Sequence, residues 1–268
     1  MEFDNHGMSD GWQGSLRNAS NLYSSNWMFS DLLRFLITSN VINKYEKGAK
    51  VLDIGCSDGQ LLEVQQIMHR SFQTKAIKYI GIDGREEAIK EANKKVKAKF
   101  TEKQQKNITF LKAEIRSEKF ISKLATLKPD IVAMLEVIEH FEKEYACPLL
   151  KAIANGISKN GKLVISTPIH YEDEYEFYYK EDHVHEYSYK ELEVLLNECG
   201  FEIETPIGIH VEANLLKKKL RTEKNEVYNE IKKISKNTGL GNILNCMFGL
   251  TNKECCKGIL LICKKISK

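Results

Sequence analysis

Val51-Leu52-Asp53-Ile54-Gly55-Cys56-Ser57-Asp58-Gly59-Gln60-Leu61-Leu62 decides how this 268-residue chain is read. Val51, Leu52 and Ile54 surround an aspartate, a glycine-bounded turn follows, and an apolar run resumes at Leu61. The pattern predicts a buried strand, a tight loop and the start of a helix. Gly55 and Gly59 let backbone pass where a Cβ would clash. The helix N-terminus behind them offers unpaired N–H groups and a partial positive charge. Together they make a nucleotide-type cradle at the carboxyl end of a parallel strand. The spacing, D-x-G-x-x-x-G, differs from the dinucleotide fingerprint G-x-G-x-x-G, and no Gly-Lys-Ser/Thr follows to make a phosphate loop.

Outward from this stretch, composition sets bounds. Hydrophobic content of 42% with 29% charged residues belongs to a globular protein. No apolar run approaches the length that spans a bilayer, and residues 1–26 lack the apolar core of a signal peptide. A cytoplasmic location with no membrane partner is expected. The seven cysteines are odd in number and scattered, with no C-x-x-C pair, so reduced thiols are expected and a structural zinc site is not. A net charge of +3 is too small to argue for nucleic acid.

Alternation of apolar strands and amphipathic helices predicts an α/β fold with a mostly parallel sheet and helices on both faces. Strands are predicted at 50–54, 78–83, 108–111, 130–135, 162–166, 201–209 and 258–264. Helices are predicted at 26–42, 61–70, 86–99, 148–158, closed by Gly161, and 189–199, capped by Ser188. The domain organisation reads as an N-terminal arm and helix over the site (1–47), a core (48–210) carrying an acidic, tyrosine-rich lid insertion (169–186), a helical insertion (211–257) and a final strand (258–268).

Four motifs follow one another in order. After the glycine loop, Asp83 ends the second strand, where a carboxylate can accept two hydrogen bonds from ribose hydroxyls. The alternative there is a surface acid capping the next helix in Asp83-Gly84-Arg85-Glu86. Ala113-Glu114-Ile115 follows the third strand, and Leu135-Glu136-Val137-Ile138-Glu139-His140-Phe141 follows the fourth. In this order and spacing the chain resembles the class I S-adenosylmethionine (SAM)-dependent methyltransferases, whose first motif is usually D/E-x-G-x-G-x-G; Ser57 stands where a glycine is usual. The resemblance covers residues 48–205 and the terminal strand. It implies a Rossmann-like seven-stranded sheet with its last strand antiparallel, SAM as cofactor, and methyl transfer to an oxygen or nitrogen of a small or medium-sized acceptor. It assigns Asp53, Gly55, Ser57 and Gly59 to the donor cradle, Asp83 to ribose, Glu114 and Ile115 to adenine, and Glu136 to the donor side and to catalysis. His140 would activate the acceptor, with His183, His185, Tyr171 and Tyr179 lining its site.

Glu136, Glu139, His140 and the distant His183 offer two carboxylates and two imidazoles, enough for Mg²⁺ or Mn²⁺. The small-RNA 3′-terminal 2′-O-methyltransferases use such a quartet, and His183, Glu186, Tyr187 and Ser188 resemble their later motif. Glu-Val-Ile-Glu-His is also widespread in class I enzymes without a metal, so no metal is the favoured expectation and RNA is the alternative acceptor. An NAD-dependent oxidoreductase and a non-catalytic SAM-binding module are the remaining alternatives. The basic stretch Lys217 to Lys236 reads first as a solvated helix face. Oligomeric state is not encoded in any of these patterns.

Overall fold

The computed structural model describes residues 26–45, 48–68, 77–171, 183–211 and 241–266, with residues 229 and 233. Seven strands form one sheet: β1 (Lys50–Ile54), β2 (Lys78–Asp83), β3 (Ile108–Lys112), β4 (Ile131–Leu135), β5 (Lys162–Pro168), β6 (Phe201–Val211) and β7 (Cys256–Lys265). Their order is β3-β2-β1-β4-β5-β7-β6. The first five are parallel, with Val51 opposite Tyr79 on one side and Ile131 on the other. β7 runs antiparallel between β5 and β6. Pro206 is accommodated because β6 is an edge strand, where a missing N–H need not break a ladder.

The helices are α1 (Asn26–Asn43), α2 (Gln60–Met68), α3 (Glu86–Lys99), the single turn α4 (Glu102–Gln105), α5 (Glu118–Leu127), α6 (Lys143–Gly156), α7 (Tyr189–Glu198) and α8 (Gly241–Gly249). Because successive strand residues face opposite sides, the sheet builds two cores. Leu52, Ile54, Val132, Met134 and Leu163 pack with Phe120, Leu149, Ile153 and Leu196 from α5, α6 and α7. Val51, Ile131, Ala133 and Val164 pack with Leu33, Leu61, Ala92 and Val96 from α1, α2 and α3. A strand covered on both faces should be apolar throughout, and Ile131 to Met134 are completely buried.

Several boundaries differ from the sequence expectation. α5 was not expected: Ser117 caps it by accepting from the Phe120 N–H, and it buries Phe120 and Leu124. α6 begins at Lys143 rather than Pro148, with the proline inside the helix, and it ends at Gly156 with Ile157 as its C-cap. Gly161 instead closes a following turn by donating to the Ser158 carbonyl (2.9 Å). Asp130 stays outside β4 because its carboxylate accepts from the Lys50 N–H (2.9 Å) and the Ser158 hydroxyl (3.0 Å). α7 has the expected cap, a reciprocal box between Ser188 and Glu191. None of the seven cysteines is joined in a disulfide. Among the described residues no helix is long and apolar enough to cross a membrane. Most of the lid insertion, including Tyr179, and nearly all of the basic stretch lie outside the described residues.

Candidate active site

At the carboxyl end of β1 the backbone turns through three left-handed residues: Gly55 (φ 74°), Ser57 (φ 48°) and Gly59 (φ 84°). The Gly55 and Cys56 N–H groups donate to the Ile82 carbonyl (2.8 and 3.0 Å), binding the loop to the end of β2. A Cβ on Gly55 would lie 2.4 Å from Val137 Cγ2. Gly55→Ala therefore combines an unfavourable backbone conformation, costing about 1–2 kcal/mol, with displacement of Val137. It should weaken S-adenosylhomocysteine binding about tenfold or more; calorimetric titration giving an unchanged affinity would show that this turn does not touch the donor.

The sequence-predicted donor residues meet here, with different tasks. Asp53 is buried beneath the loop, where its carboxylate accepts a hydrogen bond from the Tyr79 hydroxyl. Burial raises its pKa to about 7, opposed by the Tyr79 bond and assisted by the Asp83 charge. Asp58 is tied by Lys95 (2.6 Å), which also holds Glu63 (2.8 Å), so α3 anchors the loop. The Asp58 Oδ1 and Gln60 Oε1 atoms are buried without a protein partner. Leaving such acceptors unpaired costs about 1–3 kcal/mol each, so the loop suits a donor-bearing ligand such as the amino-acid end of SAM.

Asp83 faces the loop from the end of β2. Its Oδ2 accepts from the Ser57 N–H (2.9 Å), and its Oδ1 from the Arg85 N–H (2.9 Å). The Arg85 guanidinium folds over the same carboxylate and reaches the Ser57 hydroxyl. Beyond β3, Glu114 is exposed, while Ile115 is packed in the core with Phe120 and Val137.

The acceptor side is built at the ends of β4 and β5. Glu136 has a left-handed backbone (φ 54°), unusual for a residue with a side chain. Its Oε1 accepts from the Ser166 hydroxyl (2.8 Å) and lies 3.2 Å from Arg34 Nε, an ion pair whose N–H is not aligned as a hydrogen bond. Arg34 is buried on α1 and also pairs with Asp31. Glu139 is almost completely buried and accepts from the Thr167 hydroxyl (3.1 Å). Burial, reinforced by the neighbouring Glu136 charge, pushes its pKa well above the usual carboxylate range.

Glu139, His140 and His183 each place one ligand atom within 4.8 Å of the others. The two imidazoles meet edge to face, with centroids 5.3 Å apart. His183 Nδ1 sits 2.6 Å from Glu186 Oε1, so Nδ1 carries the proton toward the carboxylate and Nε2 is left as the ligand or base nitrogen. The chain around His183 is fixed to the same segment: the Val184 and His185 N–H groups donate to the Glu139 carbonyl (2.8 and 3.0 Å). Arg116 donates to the His140 carbonyl (2.8 Å) and lies over the Phe141 ring. Thus three of the four residues named as possible metal ligands converge, and Glu136 is held aside by Arg34 and Ser166.

Tyr171 and His185, the other predicted acceptor contacts among the described residues, are not brought into this cluster. The Tyr171 hydroxyl donates to the Cys256 carbonyl (2.7 Å), which ties it to the start of β7. His185 packs edge-on against Tyr187, and burial lowers its pKa. Arg34, Arg85 and Arg116 were not singled out from sequence. Only Arg85, two residues from Asp83, carries a local signal.

A family model described as a methyltransferase domain matches residues 27–205, well over half of the chain. The chain therefore belongs to that family and is a SAM-dependent methyltransferase of the class I fold. Among solved structures, it is similar to a SAM-dependent methyltransferase from Archaeoglobus fulgidus, with 19% identity over 95% of this chain and 98% of that one, TM-score 0.56. It is also similar to magnesium protoporphyrin IX methyltransferase from Synechocystis with bound SAM (19% identity, 74% of this chain and 84% of that one, TM-score 0.51). A third is the methyltransferase domain of bacterial CtHen1 (18% identity, 88% and 99% covered, TM-score 0.53). At these identities the likeness is one of fold. No curated protein matches the chain by sequence.

Proposed function

We propose that this methyltransferase acts on a hydroxyl oxygen of a small or medium-sized acceptor presented to the Glu139–His140–His183 cluster, and that the cluster works with a divalent cation. The convergence of one carboxylate oxygen and two imidazole nitrogens within 4.8 Å carries this reading. One carboxylate and two imidazoles suit Mn²⁺ better than Mg²⁺, which prefers oxygen ligands. Glu139 is a buried carboxylate beside a second one, a combination that a bound cation would relieve. When present, such an ion supplies charge that favours loss of the acceptor's hydroxyl proton.

SAM supplies an activated methyl group on a sulfonium; the chain supplies alignment of the two reactants. Thr167 and the His183–Glu186 pair fix the ligand atoms. Arg116 holds the His140 backbone in place. His140, half-buried, offers its imidazole to the ion, and the acceptor's proton would leave to solvent.

A second reading specifies the acceptor as the terminal ribose of an RNA. It is supported by the arrangement of His183, Glu186, Tyr187 and Ser188, which follows the motif of the small-RNA 3′-terminal 2′-O-methyltransferases with His183 turned to Glu139 and His140. A ribose terminus offers two adjacent hydroxyls, the pattern a cation with open positions recognises.

The test is Mn²⁺ titration in the presence of S-adenosylhomocysteine, followed by electron paramagnetic resonance. One ion per chain is expected, and His183→Ala should weaken its binding by about 100-fold, more than the loss of a supporting residue would. Absence of Mn²⁺ binding, or binding indifferent to His183→Ala, overturns the cation. Methyl transfer to an RNA oligonucleotide that disappears when its terminal ribose is blocked would decide for the second reading.

A further inference from the structure

The donor site contains a feature that the methyltransferase reading does not use. A carboxylate offers about four hydrogen-bond positions, and all four on Asp83 are taken. Two donors are backbone N–H groups, Ser57 on Oδ2 and Arg85 on Oδ1, each at 2.9 Å. The other two come from the Arg85 side chain, Nε on Oδ1 (3.0 Å) and Nη2 on Oδ2 (3.3 Å). The same Nη2 reaches the Ser57 hydroxyl at 3.1 Å, which draws the guanidinium across the mouth of the glycine loop. The backbone donors are part of the fold. The side-chain donors belong to a residue whose side chain is 42% exposed.

We infer that Arg85 is a gate on the ribose subsite, whose two side-chain hydrogen bonds exchange one for one with the 2′- and 3′-hydroxyls of the incoming donor. It rests on the assignment of Asp83 to ribose. In the closed form Arg85 holds the Asp83 carboxylate in its binding orientation and neutralises it. In the open form the backbone donors keep that orientation, and the two freed positions receive the diol. Arg85 thus competes with the donor rather than contacting it. The pair is partly exposed, so its loss is modest in energy, and removing it should improve affinity rather than create a new contact.

Titration calorimetry of wild type, Arg85→Ala and Arg85→Gln with S-adenosylhomocysteine tests this. Both variants should bind about two- to tenfold more tightly. Raising the salt concentration should narrow the gap by screening the exposed wild-type pair. Adenosine should show the same gain, whereas 2′,3′-dideoxyadenosine, with no diol to exchange, should bind wild type and variants alike. Unchanged or weaker S-adenosylhomocysteine binding by both variants overturns the gate. So does an equal gain for the dideoxy compound. If Asp83→Ala binds S-adenosylhomocysteine as wild type does, the ribose assignment itself falls. Binding that depends on Asp83 but is indifferent to Arg85 removes the gate alone.

Discussion

Asp83→Ala is expected to weaken S-adenosylhomocysteine binding by about two orders of magnitude or more, with the fold retained. Two hydrogen bonds from ribose hydroxyls to a carboxylate contribute about 1.5–3 kcal/mol each, and a tenfold change in affinity corresponds to about 1.4 kcal/mol. The substitution also releases the Ser57 N–H, whose acceptor is Asp83 Oδ2, and so loosens a loop residue held at φ 48°. Removal of the carboxylate also removes its pairing with Arg85, which opposes part of the loss, because the donor no longer has to displace that side chain. The net effect remains large, since the exposed pair is the weaker interaction. Isothermal titration with circular dichroism of the variant checks the prediction. Binding within threefold of wild type would place the ribose elsewhere. Asp83→Asn separates charge from shape: it retains the side-chain outline but presents one accepting oxygen instead of two, and should fall between wild type and Asp83→Ala.

The glycine loop and the placement of Asp83 could be read from sequence because their determinants are local. Gly55 and Gly59 bracket a turn that needs left-handed backbone, and Asp83 follows an apolar strand directly. The sheet was equally legible, since β4 is apolar at every position and the other parallel strands lie between turn signals. α5 escaped notice although it has local signals, a Ser117 cap and buried residues four apart at Phe120 and Leu124. The acceptor half is different. Glu136 reads as one acid in a motif, but its left-handed backbone and its hold by Ser166 and Arg34 depend on three elements that meet only in the folded sheet. His183 could be named from its motif, yet its distance from Glu139 and His140 depends on how the chain returns after β5. Tyr171 read as an acceptor contact because aromatic residues cluster around it. Its hydroxyl is instead used by the backbone at the start of β7, which no local pattern announces.

Arg34→Met should destabilise the protein by about 3–5 kcal/mol, the cost typical of breaking a buried ion pair from one side. The Arg34 side chain is 6% exposed and lies between Asp31 on its own helix and Glu136 at the end of β4. Burial alone would disfavour its charge. The carboxylates of Glu136, Asp31 and Glu139 outweigh that cost and keep it protonated. Methionine fills much of the volume but leaves Asp31, Glu136 and Glu139 without their cation, and Glu139 belongs to the acceptor cluster. Urea unfolding should show the lower stability with an unchanged slope. Arg34→Met combined with Glu136→Gln should recover part of the loss, because it removes one stranded charge, and the two substitutions should be coupled by more than about 1 kcal/mol. Additive effects would mean that Arg34 supports α1 without reference to Glu136. The functional consequence lies on the acceptor side. With Arg34 absent, Glu136 keeps its Ser166 bond but is free to turn toward Glu139, His140 and His183, so Mn²⁺ should bind Arg34→Met more tightly than wild type. Donor binding, whose contacts lie at the ends of β1 and β2, should change little. Together these outcomes would identify α1 as the element that decides whether a fourth ligand, Glu136, joins the cluster.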